Sequence, residues 1–403
     1  MTPPEIVAAA KQVMELLETD GHHVWLPYPG VSAGYHSDEA TSATWITRFF
    51  EGYFLPSKTP EAHATLYSTG DAALFTLLQQ HAPRATSGKN QYADTPLGQN
   101  VALIHSRSTK VVPEEDVFRL LFIRQRKILL VTSGNPEVRR EEGMQTLRAL
   151  SKWLLLERGW IPMHSACVAK GGRALCITGG KASGKTSTML NLLARNRCDV
   201  LAIDKFLIRG AGSGVEICGL PGKVGVRVGT AVVQPQLLSW LRREQVSFFP
   251  HISAEDVERI AETNTPEELR TRPEKIHLLP IELASLFGTS ITPTARLELV
   301  LIPVFDLGVT TSRLVRANPG QALSILLDCY TSLSSKGEAF LLHFFDLSDA
   351  DLRERLEALL TQCLVDTPAY GLHQNHTTNE QSSTLIAGLL KPGRRQDGRD
   401  EGR

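Results

Sequence analysis

Apolar and polar residues follow two periods along the chain, one typical of helices and one typical of strands. Residues 4–20 carry apolar side chains at helical spacing next to a pair of prolines, which favour a first helical turn. The runs VFRLLFIR (117–124) and RKILLVTS (126–133) are rich in strand-forming residues and meet at a polar stretch, so they predict a β-hairpin. Residues 137–158 place apolar side chains on one face and predict a long helix packed on a sheet.

The region between the first helix and this hairpin is harder to interpret, because proline and glycine interrupt it repeatedly. Residues 43–50 are a candidate helix or strand, and residues 71–80 are a candidate helix. His36, Asp38 and Glu39 lie close together and suggest either a metal site or a solvated loop. We expect the loop, because no second cluster has the spacing of metal ligands.

In the second half of the chain, the order of predicted strands and helices indicates an α/β domain. Strands are predicted at residues 160–169, 173–178, 199–204, 294–305 and 367–373, and helices at residues 186–195, 231–245, 321–333, 349–364 and 380–390. A Gly171-Gly172 turn separates the first two strands, which should form an antiparallel hairpin that carries His164. We therefore expect an N-terminal α+β domain (1–135), an α/β domain (136–390) and a charged, disordered tail (391–403).

Composition narrows the functional classes. The 403 residues are 42% hydrophobic, which is enough for a large core, and 43 basic residues balance 43 acidic ones. A formal charge of zero provides no electrostatic surface for nucleic acid or an anionic membrane, so we expect neither partner. The six cysteines lack a CxxC pair, and neither a signal peptide nor a membrane-spanning run is recognisable. These features predict a soluble cytoplasmic protein without zinc.

The segment GGKASGKT (179–186) fits the pattern G-x-x-x-x-G-K-[ST] between a predicted strand and a predicted helix. Its glycines allow backbone N–H groups to turn towards phosphate oxygens at the helix N-terminus. Lys185 would reach the β- and γ-phosphates of a nucleotide, and the Thr186 hydroxyl would bind Mg²⁺. The alternative is a glycine-rich turn with an incidental Lys-Thr pair. The predicted nucleotide-binding residues are Gly179, Gly180, Lys181, Ala182, Ser183, Gly184, Lys185, Thr186 and Ser187.

Three further features carry candidate chemistry. Asp204 ends the strand after the loop helix, where a carboxylate would hold Mg²⁺ or accept a proton from an attacking hydroxyl, or else cap a loop or helix. His164 lies upstream of the loop, and the alternative there is a buried core histidine. The run GLPGKVGVR (219–227) suits either an anionic substrate group or a surface turn.

The order of these parts resembles the HPr kinase/phosphorylase-like P-loop kinases, whose fold is related to that of phosphoenolpyruvate carboxykinase. The resemblance covers about 160–230 and lies in HSA (164–166), GGKASGKTS, VLAID and the hairpin FLIRGAGSGVEICGLPG. It implies an HPr kinase/carboxykinase-like P-loop kinase domain after the N-terminal α+β domain. By position it implies that His164 lies near the transferred phosphate and that Asp204 serves catalysis and metal binding. The chain departs from the family at Ile203 and Ser187, where the family commonly has acids.

The resemblance is closest to the HPr kinase-like proteins found with biosynthetic clusters and peptide modification, because the distinctive downstream phosphorylase signature is absent from this sequence. We therefore expect an ATP- and Mg²⁺-dependent kinase that phosphorylates a serine-like hydroxyl of a small molecule or peptide. The catalytic residues would be His164, Lys185 and Asp204, and the metal ligands Thr186 and Asp204. The alternatives are a non-catalytic nucleotide-binding regulatory module and an HPr-type protein serine kinase. A homo-oligomer is compatible with the sequence.

Overall fold

The protein has a mixed α/β fold with two large sheets in a computed structural model. The structure describes residues 2–54, 62–83, 92–108, 114–180, 183–212, 214–243, 252–265, 268–269, 272–306, 308–333, 338–375 and 377–390. The predicted disordered tail (391–403) lies outside these residues.

The first sheet has seven strands in the order β1-β2-β3-β7-β6-β5-β4. These are β1 (His22–Tyr28), β2 (Val31–Ser37), β3 (Ala64–Thr69), β4 (Tyr92–Gly98), β5 (Val101–Ser108), β6 (Glu115–Phe122) and β7 (Lys127–Val131). The pairs β2–β3 and β3–β7 are parallel, and the other neighbours are antiparallel. The predicted hairpin is confirmed as β6 and β7, which a short 3₁₀ turn joins.

Helices cover both faces of the first sheet, so that its strands are buried from both sides. They are α1 (Pro3–Asp20), α2 (Ala40–Phe50), α3 (Ala72–His81) and α4 (Pro136–Glu157). Apolar residues of α2 and α4 share one core with the sheet, and those of α1 and α3 share another. The segment at 43–50 is thus helical, and the helices predicted at 4–20, 71–80 and 137–158 are confirmed.

The second sheet follows the path β11-β9-β10-β16-β13-β12-β8, and β18 pairs with both β16 and β17 beside this path. Its strands are β8 (Ile161–Met163), β9 (Ala166–Lys170), β10 (Arg173–Ile177), β11 (Asp199–Ala202), β12 (Phe206–Ala211), β13 (Gly214–Gly219), β16 (Thr294–Phe305), β17 (Arg313–Arg316) and β18 (Ala369–Gln374). A separate ribbon pairs β14 (Val224–Arg227) with β15 (Lys275–Leu278). The predicted antiparallel hairpin is confirmed as β9 and β10.

Helices also cover both faces of the second sheet. They are α5 (Lys185–Asn196), α6 (Val228–Ala231), α7 (Pro235–Arg243), α8 (Ala254–Thr263), α9 (Pro280–Phe287), α10 (Pro319–Leu327), α11 (Asp349–Asp366) and α12 (Asn379–Leu389). Two helix predictions differ in extent from these elements. The segment predicted at 231–245 contains the end of α6 and all of α7, and the segment predicted at 321–333 ends at Leu327.

The second sheet curls so that the two ends of its strand order approach each other. Strands β8 and β9 lie far apart in that order, but His164 and Ser165 alone connect them. Residues 203–205 likewise connect β11, at one end, to β12, near the other. Because two or three residues span only about 10 Å, these connections hold the two ends together. We call residues 164–165 and 203–205 the seam.

Helix α4 joins the two halves of the chain. Its apolar residues lie in a core that contains residues of the first sheet together with Leu207 and Cys218 of the second. The Trp153 ring is fully buried and stacks on Phe345 with 5.5 Å between ring centroids. One face of α4 thus lies against the first sheet, and residues of this helix also approach the seam.

Of the three residues predicted in a solvated loop, His36 lies in a strand instead. His36 is a buried residue of β2, and its ring lies 4.2 Å from that of His23 and 4.9 Å from that of Tyr67, centroid to centroid. The Asp38 carboxylate accepts a hydrogen bond of 2.6 Å from the buried Arg139 guanidinium. The prediction of a solvated loop is therefore wrong for His36, because the proline and glycines disguise the strand pattern HHVWLPYPGVSAGYHS, whereas Asp38 and Glu39 do lie in the loop between β2 and α2, with Asp38 exposed.

Candidate phosphate-binding site

A strand, a loop and a helix follow one another at the predicted phosphate-binding motif. Strand β10 ends at Ile177, and α5 begins at Lys185. The loop between them includes Gly179 with φ of +142° and Gly184 with φ of +100°. Residues other than glycine rarely adopt such backbone angles, so the backbone conformation explains why these two positions are glycine. Lys181 and Ala182 lie outside the described residues.

The Lys185 side chain folds back over the loop. Its ammonium donates hydrogen bonds to the backbone carbonyls of Gly179 (2.7 Å) and Gly180 (2.8 Å). Burial lowers the pKa of Lys185, and the nearby charge of Asp204 partly opposes this effect. The ammonium therefore lies within the loop, where neutral carbonyl groups accept its hydrogen bonds. A bound anion would take the place of these carbonyl groups as the hydrogen-bond acceptor.

The rest of the motif leaves room beside the loop. Among the residues that the structure describes, none has an atom within 4 Å of a Cβ atom built on Gly180. Ser183 and Thr186 are half-buried, and the Ser187 hydroxyl lies 3.4 Å from that of Thr230. The open space over Gly180 and the N-terminus of the twelve-residue helix α5 together form a cradle that suits phosphate oxygens.

His164 and Asp204 meet at the seam. The His164 Nε2 atom lies 3.5 Å from Asp204 Oδ1, and both side chains are more than half exposed, at 55% and 56%. The strand register explains this meeting, because Ala166 pairs with Ile177, Cys167 with Ala202, and Met163 with Phe206. The end of β10, from which the loop starts, therefore lies beside both seam connections.

The prediction that His164 lies on a strand is wrong. His164 occupies the break between β8 and β9, where the chain changes its pairing partner from β12 to β10. Its backbone N–H donates to the carbonyl of Cys329 at 2.7 Å, while its ring is directed away from the core. The alternative of a buried core histidine is excluded by this exposure.

Asp204 lies two residues beyond β11. Its carboxylate makes no hydrogen bond to a backbone N–H of the described residues, so the structure gives no support to a capping role. Ile203 is half-buried and packs against the core of the second sheet. Among residues 203–205, Asp204 alone carries a carboxylate, and its charge acts on the Lys185 ammonium.

Several neighbours of the site were not predicted from the sequence. Thr178 and Cys329 are buried beside the loop, with 2.8 Å between the Thr178 Oγ1 and Cys329 Sγ atoms. Cys329 lies two residues beyond the end of α10, far from the loop in sequence, so no local pattern associates it with the loop. Lys205 also adjoins the site. Its position directly after Asp204 was the one feature of the sequence that could have indicated this.

The run at 219–227 is not a simple surface turn. Leu220 is buried, and its backbone N–H donates to the carbonyl of Lys205 at 3.3 Å. A Cβ atom on Gly219 would lie 1.9 Å from the Leu201 carbonyl oxygen, so the chain passes too close to β11 for any side chain at this position. The segment from Val224 onward forms β14.

The residues present are compatible with a nucleotide-bound Mg²⁺ ion. Such an ion usually takes only one or two carboxylate or hydroxyl groups from the protein, together with phosphate oxygens and water. Thr186, in the first turn of α5, and the exposed Asp204 offer these oxygen ligands. In the described segments, no group of three or more His, Cys, Asp and Glu side chains could hold a metal by itself.

Two comparisons with known sequences found no relative. No protein-family model and no curated protein sequence matches the chain. In the part of the chain that the structure describes, no helix combines the length and the apolar character needed to cross a membrane. The local geometry of the loop and the seam is therefore the basis for a functional hypothesis.

Proposed function

We propose that the chain is an ATP- and Mg²⁺-dependent kinase of the HPr kinase/carboxykinase-like type that phosphorylates a hydroxyl group. The single observation that carries this proposal is the position of Lys185 within a glycine loop that lies beside the exposed pair of His164 and Asp204. A phosphate-binding lysine and a proton acceptor on the same side of a sheet are the parts that phosphoryl transfer needs.

The chemistry assigns a role to each residue. The acceptor hydroxyl oxygen forms a bond to the γ-phosphorus while the bond from that phosphorus to the β,γ-bridging oxygen breaks, which releases ADP. Lys185 stabilises the charge on the transferred group, and the hydroxyl proton passes to Asp204 or His164. Mg²⁺ would neutralise phosphate charge when bound, and Thr186 and Asp204 would hold it.

The expected acceptor is a small molecule or peptide that bears a serine-like hydroxyl. The support is the order of motifs shared with cluster-associated HPr kinase-like proteins and the zero formal charge of the chain. Profiling of phosphorylated metabolites and peptides in cells with and without the protein would identify the acceptor. If a folded HPr-type protein were the one species to gain phosphate, the proposed acceptor would be wrong, and the regulatory-kinase alternative would take its place.

The test of the kinase assignment is Lys185→Ala. We expect this variant to keep its fold and to lose transfer of labelled phosphate from ATP to an acceptor in cell extract, because the phosphate charge would lack its cation. Lys11→Ala, which changes an exposed lysine on α1, is the matched control and should transfer phosphate normally. Full activity of Lys185→Ala would exclude the proposal.

A second candidate is a non-catalytic nucleotide-binding module that signals through its N-terminal half. The observation that favours it is Ile203, whose side chain packs against the core where a second acid would otherwise assist Asp204. The two candidates differ in one measurement. Tight binding of ATP without transfer or hydrolysis, across many acceptors, would favour the binding module.

A further inference from the structure

A group of charged side chains lies next to Asp204, within and beside the seam. Lys205 follows Asp204 directly, and its ammonium lies 4.0 Å from the Glu338 carboxylate. Lys152 donates a hydrogen bond to the same carboxylate, and only 4% of the Lys152 side chain is exposed. Glu338 thus holds two lysines, one from α4 and one from the seam.

Arg148 adds a third cation to this group. It lies one turn before Lys152 on α4, so both side chains leave the same face of the helix. Its guanidinium is 3.9 Å from the point that a Cβ atom on Gly222 would occupy. In the described part of the chain, Arg148 has no hydrogen bond or ion pair.

The charges of this group do not balance. Among the described residues, Lys152 and Lys205 form ion pairs with one shared carboxylate, that of Glu338, and the neighbouring Arg148 forms none, before Asp204 is counted. Burial lowers the pKa of Lys205, and the charges of Arg148 and Lys152 lower it further against the opposing effect of Glu338. Three cations that repel one another in a partly buried place are stabilised by an added anion.

The position of the group relates it to the acceptor. Asp204 directly precedes Lys205, whose ammonium lies 4.0 Å from Glu338, and the charge of Asp204 also acts on Lys185, so Asp204 is a near neighbour of both the glycine loop and the cation group. A hydroxyl that donates its proton to Asp204 would have the γ-phosphate on one side. Any charged group on the same acceptor would then lie on the other side, near Lys205.

We propose that Arg148 and Lys205 bind an anionic group, a carboxylate or a phosphate ester, that the acceptor carries close to its reactive hydroxyl. This inference rests on the proposed kinase function, which it deepens by naming the acceptor class. Lys152 and Glu338 are positioning residues, since the buried Lys152 holds the Glu338 carboxylate beside Lys205.

The experiment uses the full chain and three probes: serine, glycerol 3-phosphate and glycerol. Binding of each probe is measured by calorimetry, with and without saturating Mg-ADP, for the wild type, Arg148→Gln and Lys205→Gln. Arg140→Gln is the matched control, because Arg140 lies on the same helix but donates to the Pro136 carbonyl far from the seam. Affinity for Mg-ADP is measured for every variant.

We expect serine or glycerol 3-phosphate, but not glycerol, to bind the wild type and Arg140→Gln. Arg148→Gln and Lys205→Gln should each weaken this binding by about 10-fold to 100-fold while Mg-ADP affinity is unchanged. Whichever of the two probes binds identifies the anion as carboxylate or phosphate. Glycerol that binds equally well, anionic probes that do not bind, or variants that bind them like the wild type would each overturn the inference.

The two proposals fail in different ways. If Mg-ADP does not bind the wild type, the kinase proposal fails, and the titration without nucleotide still decides whether Arg148 and Lys205 bind an anion. If Mg-ADP binds and the anionic probes do not, the nucleotide site stands and the anion site is rejected.

Discussion

Two alanine substitutions in the glycine-rich loop distinguish two effects: the cost of backbone strain, and the loss of space that a ligand would occupy. Gly184 has φ of +100°, and an added Cβ atom would lie 3.4 Å from Gln374 Nε2, which is an ordinary contact. The cost of Gly184→Ala is therefore backbone strain, about 1–3 kcal/mol of unfolding free energy. Gly180 has no such positive φ, and no atom of the described residues lies within 4 Å of its added Cβ. Gly180→Ala should change stability by less than about 0.5 kcal/mol.

The same substitutions differ in their effect on nucleotide binding. The methyl group of Gly180→Ala would enter the open space over the loop, so we expect Mg-ADP to bind at least about tenfold more weakly, a loss of about 1.4 kcal/mol. Urea unfolding without nucleotide and titration with a fluorescent ADP analogue measure the two quantities separately. Equal losses of stability in the two variants, or normal ADP binding by Gly180→Ala, would refute the reasoning.

Two further predictions concern stability and thiol reactivity. The buried Arg119 guanidinium donates hydrogen bonds to Glu142 (2.7 Å), Thr146 (3.0 Å) and Ser106 (2.9 Å). Arg119→Met should therefore lower the free energy of unfolding in urea by about 3–5 kcal/mol, because it leaves the Glu142 charge without its partner. The double variant Arg119→Met with Glu142→Leu should recover most of this free energy. A loss below about 1 kcal/mol in the single variant would contradict this view of the ion pair. Burial raises the pKa of Cys198 to about 11 from its ordinary 9.0, so its thiolate should be about 100-fold scarcer at pH 8 in the native protein than in the unfolded chain. Rates of iodoacetamide labelling, read by mass spectrometry at Cys198, would show this difference, and equal rates in native and unfolded protein would exclude it.

Elements whose signals are local could be predicted from the amino-acid sequence. The glycine-rich motif at residues 179–186 is contiguous, and the strand before it and the helix after it lie where the pattern predicted. The hairpins at β6–β7 and β9–β10 and the long strand at Thr294–Phe305 were equally predictable, because apolar alternation and turn residues act over a few positions. Where proline and glycine interrupted the pattern, as before His36, a strand was missed and a buried histidine was predicted in a loop.

Only the tertiary structure decided which side chains surround the loop. His164 was predicted on a strand, but the curl of the second sheet breaks that strand and exposes the imidazole beside Asp204. The same curl sets Lys205 next to Glu338, and the shared core holds α4 so that Arg148 and Lys152 approach this place. These contacts join residues far apart in the chain, and they form because apolar faces must be buried together. Periodicity along one segment carries no information about which distant segment will cover it.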